Sequence, residues 1–164
     1  MLSLSKRADY ALLALSHLAV TQATDPNRLV NTREIAEQYE IPGELLAKLL
    51  QTLARNGIVA SHPGPTGGYK LLRAPKAVSI AEVLSAIDGP LSILPCSNGQ
   101  GDSCKQFSHC TIRDPLAEIE RRVKSLLDEM TLADVSGVSP APPDDWAALP
   151  DFSTRSFAAG LRVS

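Results

Sequence analysis

Cys96, Cys104 and Cys110 are the only cysteines in the chain and follow the spacing C-x7-C-x5-C. Thiolates are soft ligands that suit iron–sulfur clusters and zinc, and three on one loop can converge on a single metal centre. Zinc ribbons and fingers usually bring C-x2-C pairs. The chain has none, which makes zinc the weaker metal reading. A disulfide pair with one free thiol, or a thiol switch without metal, is compatible with the same residues. Spacing alone leaves these alternatives open. His109, beside the last cysteine, is a local candidate ligand, although the ordinary state of such a histidine is a solvated loop side chain.

A second set of residues has the chemistry of nucleic-acid contact. Glu44, Ala47, Lys48, Gln51 and Arg55 recur at helical spacing opposite a leucine stripe. Lys48 and Gln51 suit base edges or phosphates, and Arg55 suits the DNA backbone. Thr32 and Arg33 stand at the start of the preceding helix and join the candidate set. Residues 62–69 read His-Pro-Gly-Pro-Thr-Gly-Gly-Tyr, where Gly67 and Gly68 would let backbone N–H groups approach phosphate. His62, Thr66 and Tyr69 complete that tip. Lys6 and Arg7 open the first helix, where orphan N–H groups favour an anion. No Ser-His-Asp or Cys-His arrangement is implied, and His17, His62 and His109 are scattered, so the chain does not read as an enzyme.

The elements that must position these residues follow from periodicity. Leu4, Ala8, Ala11, Leu12, Leu15, Leu18 and Ala19 predict an amphipathic helix from Leu4 to about Thr21. Asn31-Thr-Arg-Glu34 resembles a capping box and opens a short helix to about Tyr39. Ile41-Pro-Gly43 makes a turn, with Pro42 suited to the first position of the next helix. Leu45, Leu46, Leu49, Leu50 and Leu53 face that helix inward, and Gly57 stops it. Ile58-Val-Ala and Tyr69-Lys-Leu-Leu flank a tight turn as two strands. Helix, helix, turn, helix, hairpin is the order of a winged helix-turn-helix, whose second motif helix enters the major groove. The expected fold is therefore mainly α with a two-stranded wing.

Ser79-Ile-Ala-Glu82 predicts a capping box and a helix to about Asp88, stopped by Gly89-Pro90. Residues 91–110 read as an irregular loop. Leu116, Ile119, Val123, Leu126 and Met130 then recur as a coiled-coil-like seam, on a helix expected to end near Val135. The expected organisation is a DNA-binding domain over 1–77, a linking helix and cysteine loop over 78–110, a dimerisation helix over 111–136, and a tail over 137–164. The tail composition is disorder-prone, with 151–163 as one more short helical candidate.

Composition agrees with a helical globular chain: 44% hydrophobic, 4% aromatic, net charge −2. Residues 1–80 hold nine Lys/Arg against six Asp/Glu, a balance of +3, and residues 81–164 hold seven against twelve, a balance of −5. A basic and an acidic half can face different partners. No run of eighteen apolar residues exists, so no membrane span is expected. The N-terminal apolar run is broken by Lys6, Arg7 and Asp9, which argues against a signal peptide and for a reducing cytoplasm.

These stretches together resemble the bacterial regulator family of IscR, NsrR and RirA. The similarity rests on Leu4-Ser-Lys-Arg-Ala-Asp-Tyr-Ala-Leu, Glu34-Ile-Ala-Glu, Ile41 through Val59, Gly64-Pro-Thr-Gly-Gly-Tyr-Lys-Leu, Ile80 through Gly89 and Thr131-Leu-Ala-Asp, spanning about residues 1–135. It implies a homodimer, most simply a repressor, on a near-palindromic double-stranded operator, with the long helix crossing its twin. It also implies an iron–sulfur cluster on the three cysteines, in a spacing most similar to RirA, since clusterless members generally lack the triad. The fourth ligand implied by NsrR-like members is Asp9, from the first helix of the other subunit. The histidine of IscR-like members is replaced here by Arg113, which cannot ligate. Three cysteines with Asp9 favour a 4Fe–4S cluster, with 2Fe–2S the alternative. The signal implied is iron, nitric oxide or redox state, and RNA polymerase and iron–sulfur assembly proteins are further candidate partners. One departure is His62-Pro63-Gly64, where members often carry Arg before the glycine.

Overall fold

Ser5 starts the first helix. Its Oγ accepts from the Ala8 N–H at 3.0 Å, and the hydroxyl donates to Asp88 Oδ2 at 2.6 Å. The computed structural model describes residues 4–92 and 109–138. The first helix, α1, runs Lys6–Thr24. It starts two residues later and ends three residues later than expected; Thr21 is itself buried and the turn comes only at Asp25. There the Asp25 side chain accepts from the Asn27 N–H at 3.0 Å. Ala8, Ala11, Leu15, Leu18 and Ala19 are buried as the periodicity requires. Leu4 lies outside the helix and is exposed.

The second helix, α2, spans Thr32–Tyr39, and α3 spans Gly43–Arg55. Asn31 caps α2 by accepting from the Glu34 N–H at 2.8 Å. The turn is Glu40-Ile41-Pro42, one residue earlier than expected. Glu40 takes a left-handed φ of 53°, Ile41 is buried beneath it, and Pro42 is the N-cap of α3 rather than its first residue. Gly57, at φ +70°, closes the exit from α3 in a conformation that glycine adopts without strain. Strands β1 (Val59–His62) and β2 (Gly68–Leu71) form one antiparallel hairpin with Val59 opposite Leu71 and His62 opposite Gly68. Val30 adds a bridge to Tyr69, and the Gln22 side chain accepts from the Leu71 N–H at 2.7 Å. The wing base is thereby tied to α1 and to the entry of α2.

Helix α4 covers Ile80–Asp88, α5 covers Arg113–Glu129, and α6 covers Leu132–Ser136. The helix expected to run to Val135 ends six residues early. Thr131 and Asp134 form a capping box that starts α6, with Asp134 Oδ2 accepting from the Thr131 N–H at 2.8 Å and from its hydroxyl at 2.6 Å. Met130, expected in the seam, is the extended C-cap of α5. Leu132 then drops into the core at 0% exposure. Backbone bonds Ile80 N–H to Met130 O (2.9 Å) and Leu132 N–H to Val78 O (2.8 Å) stitch this junction to the start of α4. Leu132 and Val78 share one core with Leu15, Leu50 and Ile58. Each such side chain contributes about 1.5–3 kcal/mol by leaving water.

The expected capping boxes at Asn31 and Ser79 are only half formed. Both cap side chains accept from the N3 backbone, but neither glutamate turns back. Glu34 bonds Arg28 at 2.7 Å, and Glu82 bonds Arg73. A guanidinium is a stronger partner for a carboxylate than a lone backbone N–H.

Candidate nucleic-acid interface and cysteine region

The outer face of α3 is built by its inner one. Leu46, Leu49, Leu50 and Leu53 are at most 1% exposed, whereas Leu45 is half-buried. Burying that stripe turns Glu44, Lys48, Gln51 and Arg55 into solvent, with the half-buried Ala47 at its edge. Arg55 Nε donates weakly to Gln51 O at 3.4 Å. Neither Lys48 nor Arg55 has an acidic partner among the described residues, so both cations are available to an anionic ligand.

Arg33 differs. It is exposed, but its Nε donates to Glu37 Oε1 at 2.6 Å, and that hydrogen bond and charge raise the guanidinium further above its ordinary value. Water screens an exposed pair of this kind, so it is held weakly and a phosphate can displace Glu37. Thr32 is half-buried at the first position of α2.

The wing shows why its glycines are needed, and the reason is packing. A Cβ on Gly68 would lie 2.6 Å from Val30 O, and one on Gly67 would overlap His62 O. The Gly67 N–H donates to Gly64 O at 3.0 Å, and the Tyr69 N–H donates to Val30 O at 2.8 Å. These two N–H groups are engaged within the fold rather than offered outward. The exposed groups of the tip are His62 and Thr66, with Tyr69 half-buried against the core.

Lys6 and Arg7 are exposed at the far end of α1 from the wing base. At 1.5 Å rise per residue, Lys6 stands about 24 Å along the helix from Gln22. Asp9 shares their end. It is exposed, and its carboxylate has no hydrogen-bond or ion-pair partner among the described residues.

Cys96 and Cys104 lie outside the described residues. Cys110 is a half-exposed free thiol two residues before the N-cap of α5. The donor set assigned to a cluster, three thiolates and a carboxylate, is chemically apt for iron. The two members described, Cys110 and Asp9, are both accessible and uncommitted. Among the described residues no group of three or more potential ligands gathers. His109 is exposed.

The apolar face of α5 is uncovered. Ile112, Ile119 and Leu126 are 61%, 48% and 52% exposed at seven-residue intervals, with Leu116 and Val123 half-buried beside them. The polar face carries Glu118 bonded to Arg121 and Arg122, each at 2.7 Å, which holds its carboxyl below the usual range.

Sequence reasoning missed the residues that aim the wing. Gln22 and Val30 carried no local signal, because their partners are far away in the chain. It also passed over His17, which is mostly buried, with Nε2 3.3 Å from Glu34 Oε1 and Nδ1 3.4 Å from the Tyr39 hydroxyl. That polar cluster braces α1 against α2. Among the described residues no helix is long and apolar enough to cross a membrane.

A family model for Rrf2, described as an iron-dependent transcriptional regulator, matches residues 4–137. A protein of Rhodobacter capsulatus named as an rrf2-like HTH-type transcriptional regulator is 37% identical over 136 residues, covering 80% of this chain and 91% of its own. The HTH-type transcriptional regulator NsrR of Bacillus licheniformis is 30% identical over 134 residues, covering 82% and 92%. Among solved structures, IscR of T. potens matches with a TM-score of 0.63 at 22% identity, over 86% of this chain and 93% of that one. CymR, the global cysteine regulator of B. subtilis, matches at 0.64 and 24%, over 85% and 100%. These two likenesses establish the fold.

Proposed function

The chain belongs to the Rrf2 family of transcriptional regulators, and from that premise we propose that it is a dimeric repressor whose hold on a near-palindromic operator is set by an iron–sulfur cluster. Its relatives and structural neighbours are DNA-binding regulators of transcription, not enzymes. The observation that carries the DNA reading is α3. Lys48, Gln51 and Arg55 stand exposed opposite four buried leucines, and the two cations have no acidic partner among the described residues. In this reading Lys48 and Gln51 meet base edges and Glu44 selects among them. Arg55, Thr32, Arg33, His62, Thr66 and the Tyr69 side chain hold the flanking phosphates, Gly67 and Gly68 let the wing pack closely enough to present them, and Lys6 and Arg7 make outlying contacts.

The cluster would be held by Cys96, Cys104 and Cys110, with Asp9 of a second copy as fourth ligand. When bound, an iron–sulfur cluster supplies redox and ligand-exchange chemistry at iron, which suits a sensor of iron, nitric oxide or redox state. The chain's own residues supply the coupling. Cys110 leads through Thr111 and Ile112 into α5, and the other end of α5 is stitched to residues 78–80 beside the DNA-binding core. With a cluster bound, drawing Cys110 toward its fellow ligands would shift α5 against its twin and change the spacing of the two recognition helices. Operator geometry requires that spacing to be near one helical turn, and the signal acts by favouring one arrangement over the other.

The half-exposed Cys110 thiol also serves a second reading, in which oxidation of the cysteines or a protein partner replaces the cluster. Iron and sulfide counts on anaerobically purified protein separate the two. A brown protein carrying about four iron and four sulfide per chain is expected. A colourless protein that stays free of both after reconstitution rejects the cluster and leaves the DNA face standing.

A further inference from the structure

An apolar groove runs along the outer side of the wing base. Its walls are Ala19 and Ala23 of α1, Leu71 and Leu72 at the end of β2, and Pro75, and its volume is about 340 Å³. Leu72 is 59% exposed, and Val20, one helical turn before Ala23, is 50% exposed. The last described residue, Val138, lines this groove and packs against the core. The chain thus leaves the described structure inside the groove, just past the end of the Rrf2 match at residue 137. Residues 139–164 carry the only tryptophan, Trp146, and two of the three phenylalanines, Phe152 and Phe157, in a chain with few aromatic residues.

We propose that the groove is the docking site of this chain's own C-terminal segment, with Trp146 seated between Ala23 and Leu72. The span from Val138 to Trp146 is eight residues, at most about 26–29 Å of extended chain, which is ample for a groove that begins at Val138. A seated tryptophan buries about 150–250 Å² and covers apolar surface that is otherwise in water. Docking would clamp α6 and the wing base together from outside, adding residues beyond 137 to the unit that the family shares.

Trp146 is its own reporter, because no other tryptophan emits. The test is the fluorescence of the full chain and of the groove variants Ala23→Glu and Leu72→Glu. Both positions are exposed, so the substitutions leave the core intact, and far-UV circular dichroism checks this. Expected are a blue-shifted emission protected from acrylamide in the parent chain, and a red shift with lost protection in both variants. A parent emission like that of free indole in water overturns the proposal. So does a blue-shifted emission that neither variant changes, because the segment would then be buried elsewhere. A change in oligomer mass on Leu72→Glu without a change in Trp146 emission also overturns it, since a second copy would be the occupant.

Discussion

Lys48 and Gln51 owe their exposure to the residues beneath them: burying the leucines that anchor α3 turns these two side chains into solvent. Replacing either with Ala should cost about 1–3 kcal/mol of specific operator binding. Arg55→Ala should weaken specific and nonspecific DNA alike and lower the salt slope by about one. Neither change should move the thermal midpoint, and anisotropy titrations at several salt concentrations distinguish the two behaviours. Gly68 behaves in the opposite way. Its missing Cβ makes room for the Val30 backbone, so Gly68→Ala must part the wing from α2. The expected loss is about 1–3 kcal/mol of folding stability, read by urea unfolding, with DNA binding falling as a consequence. Sequence reasoning found this glycine but gave it a contact with phosphate. The clash with a residue thirty-eight positions earlier is a property of the packed fold and has no trace in the local pattern.

At the scale of elements, local chemistry was legible wherever a signal and its response lie within one turn. Asn31, Ser79 and Gly57 mark helix ends in the sequence and in the structure alike. The reading failed where two local signals compete. The apolar repeat of α5 continues through Met130, but Thr131-Leu-Ala-Asp134 is a capping box and restarts the helix. The pattern was visible and could have been used to end α5 at Glu129. Two hydrogen bonds from Thr131, the hydroxyl's and then the backbone's, hold the Asp134 carboxyl below its ordinary value. A folded-state value below the unfolded one means stabilisation that is complete above about 3.9 and is lost as pH falls through the lower folded value. Because Asp134 is exposed, solvent screens this contribution. Thr131→Ala should cost about 1 kcal/mol at neutral pH, and Asp134→Asn should flatten the acid limb of stability against pH in urea-unfolding series.

At the scale of the whole molecule, the proposed dimer makes the uncovered stripe on α5 and the exposed face of α3 parts of one arrangement. A single recognition helix reads one half-site, and two held at fixed spacing gain from simultaneous binding. Ile119→Glu with Leu126→Glu places charges in the stripe at positions about half exposed in the single chain. The variant should sediment as a folded monomer and bind the operator about a hundredfold more weakly or worse. The exposed apolar stripe of α5 was legible because its residues recur at heptad spacing, whereas the proposed convergence of Cys96, Cys104, Cys110 and Asp9 is a matter of assembly that no spacing specifies. The central claim, that the cysteines govern DNA binding, is met most directly by one titration. Operator recovered by selection from random DNA is titrated anaerobically with the protein before and after reconstitution with iron and sulfide, beside the Cys104→Ala variant. The account predicts a change in operator affinity of about 5–150-fold on reconstitution of the parent chain and none in the variant. Superimposable curves for the parent with and without iron and sulfide, or a variant that responds as the parent does, would contradict it.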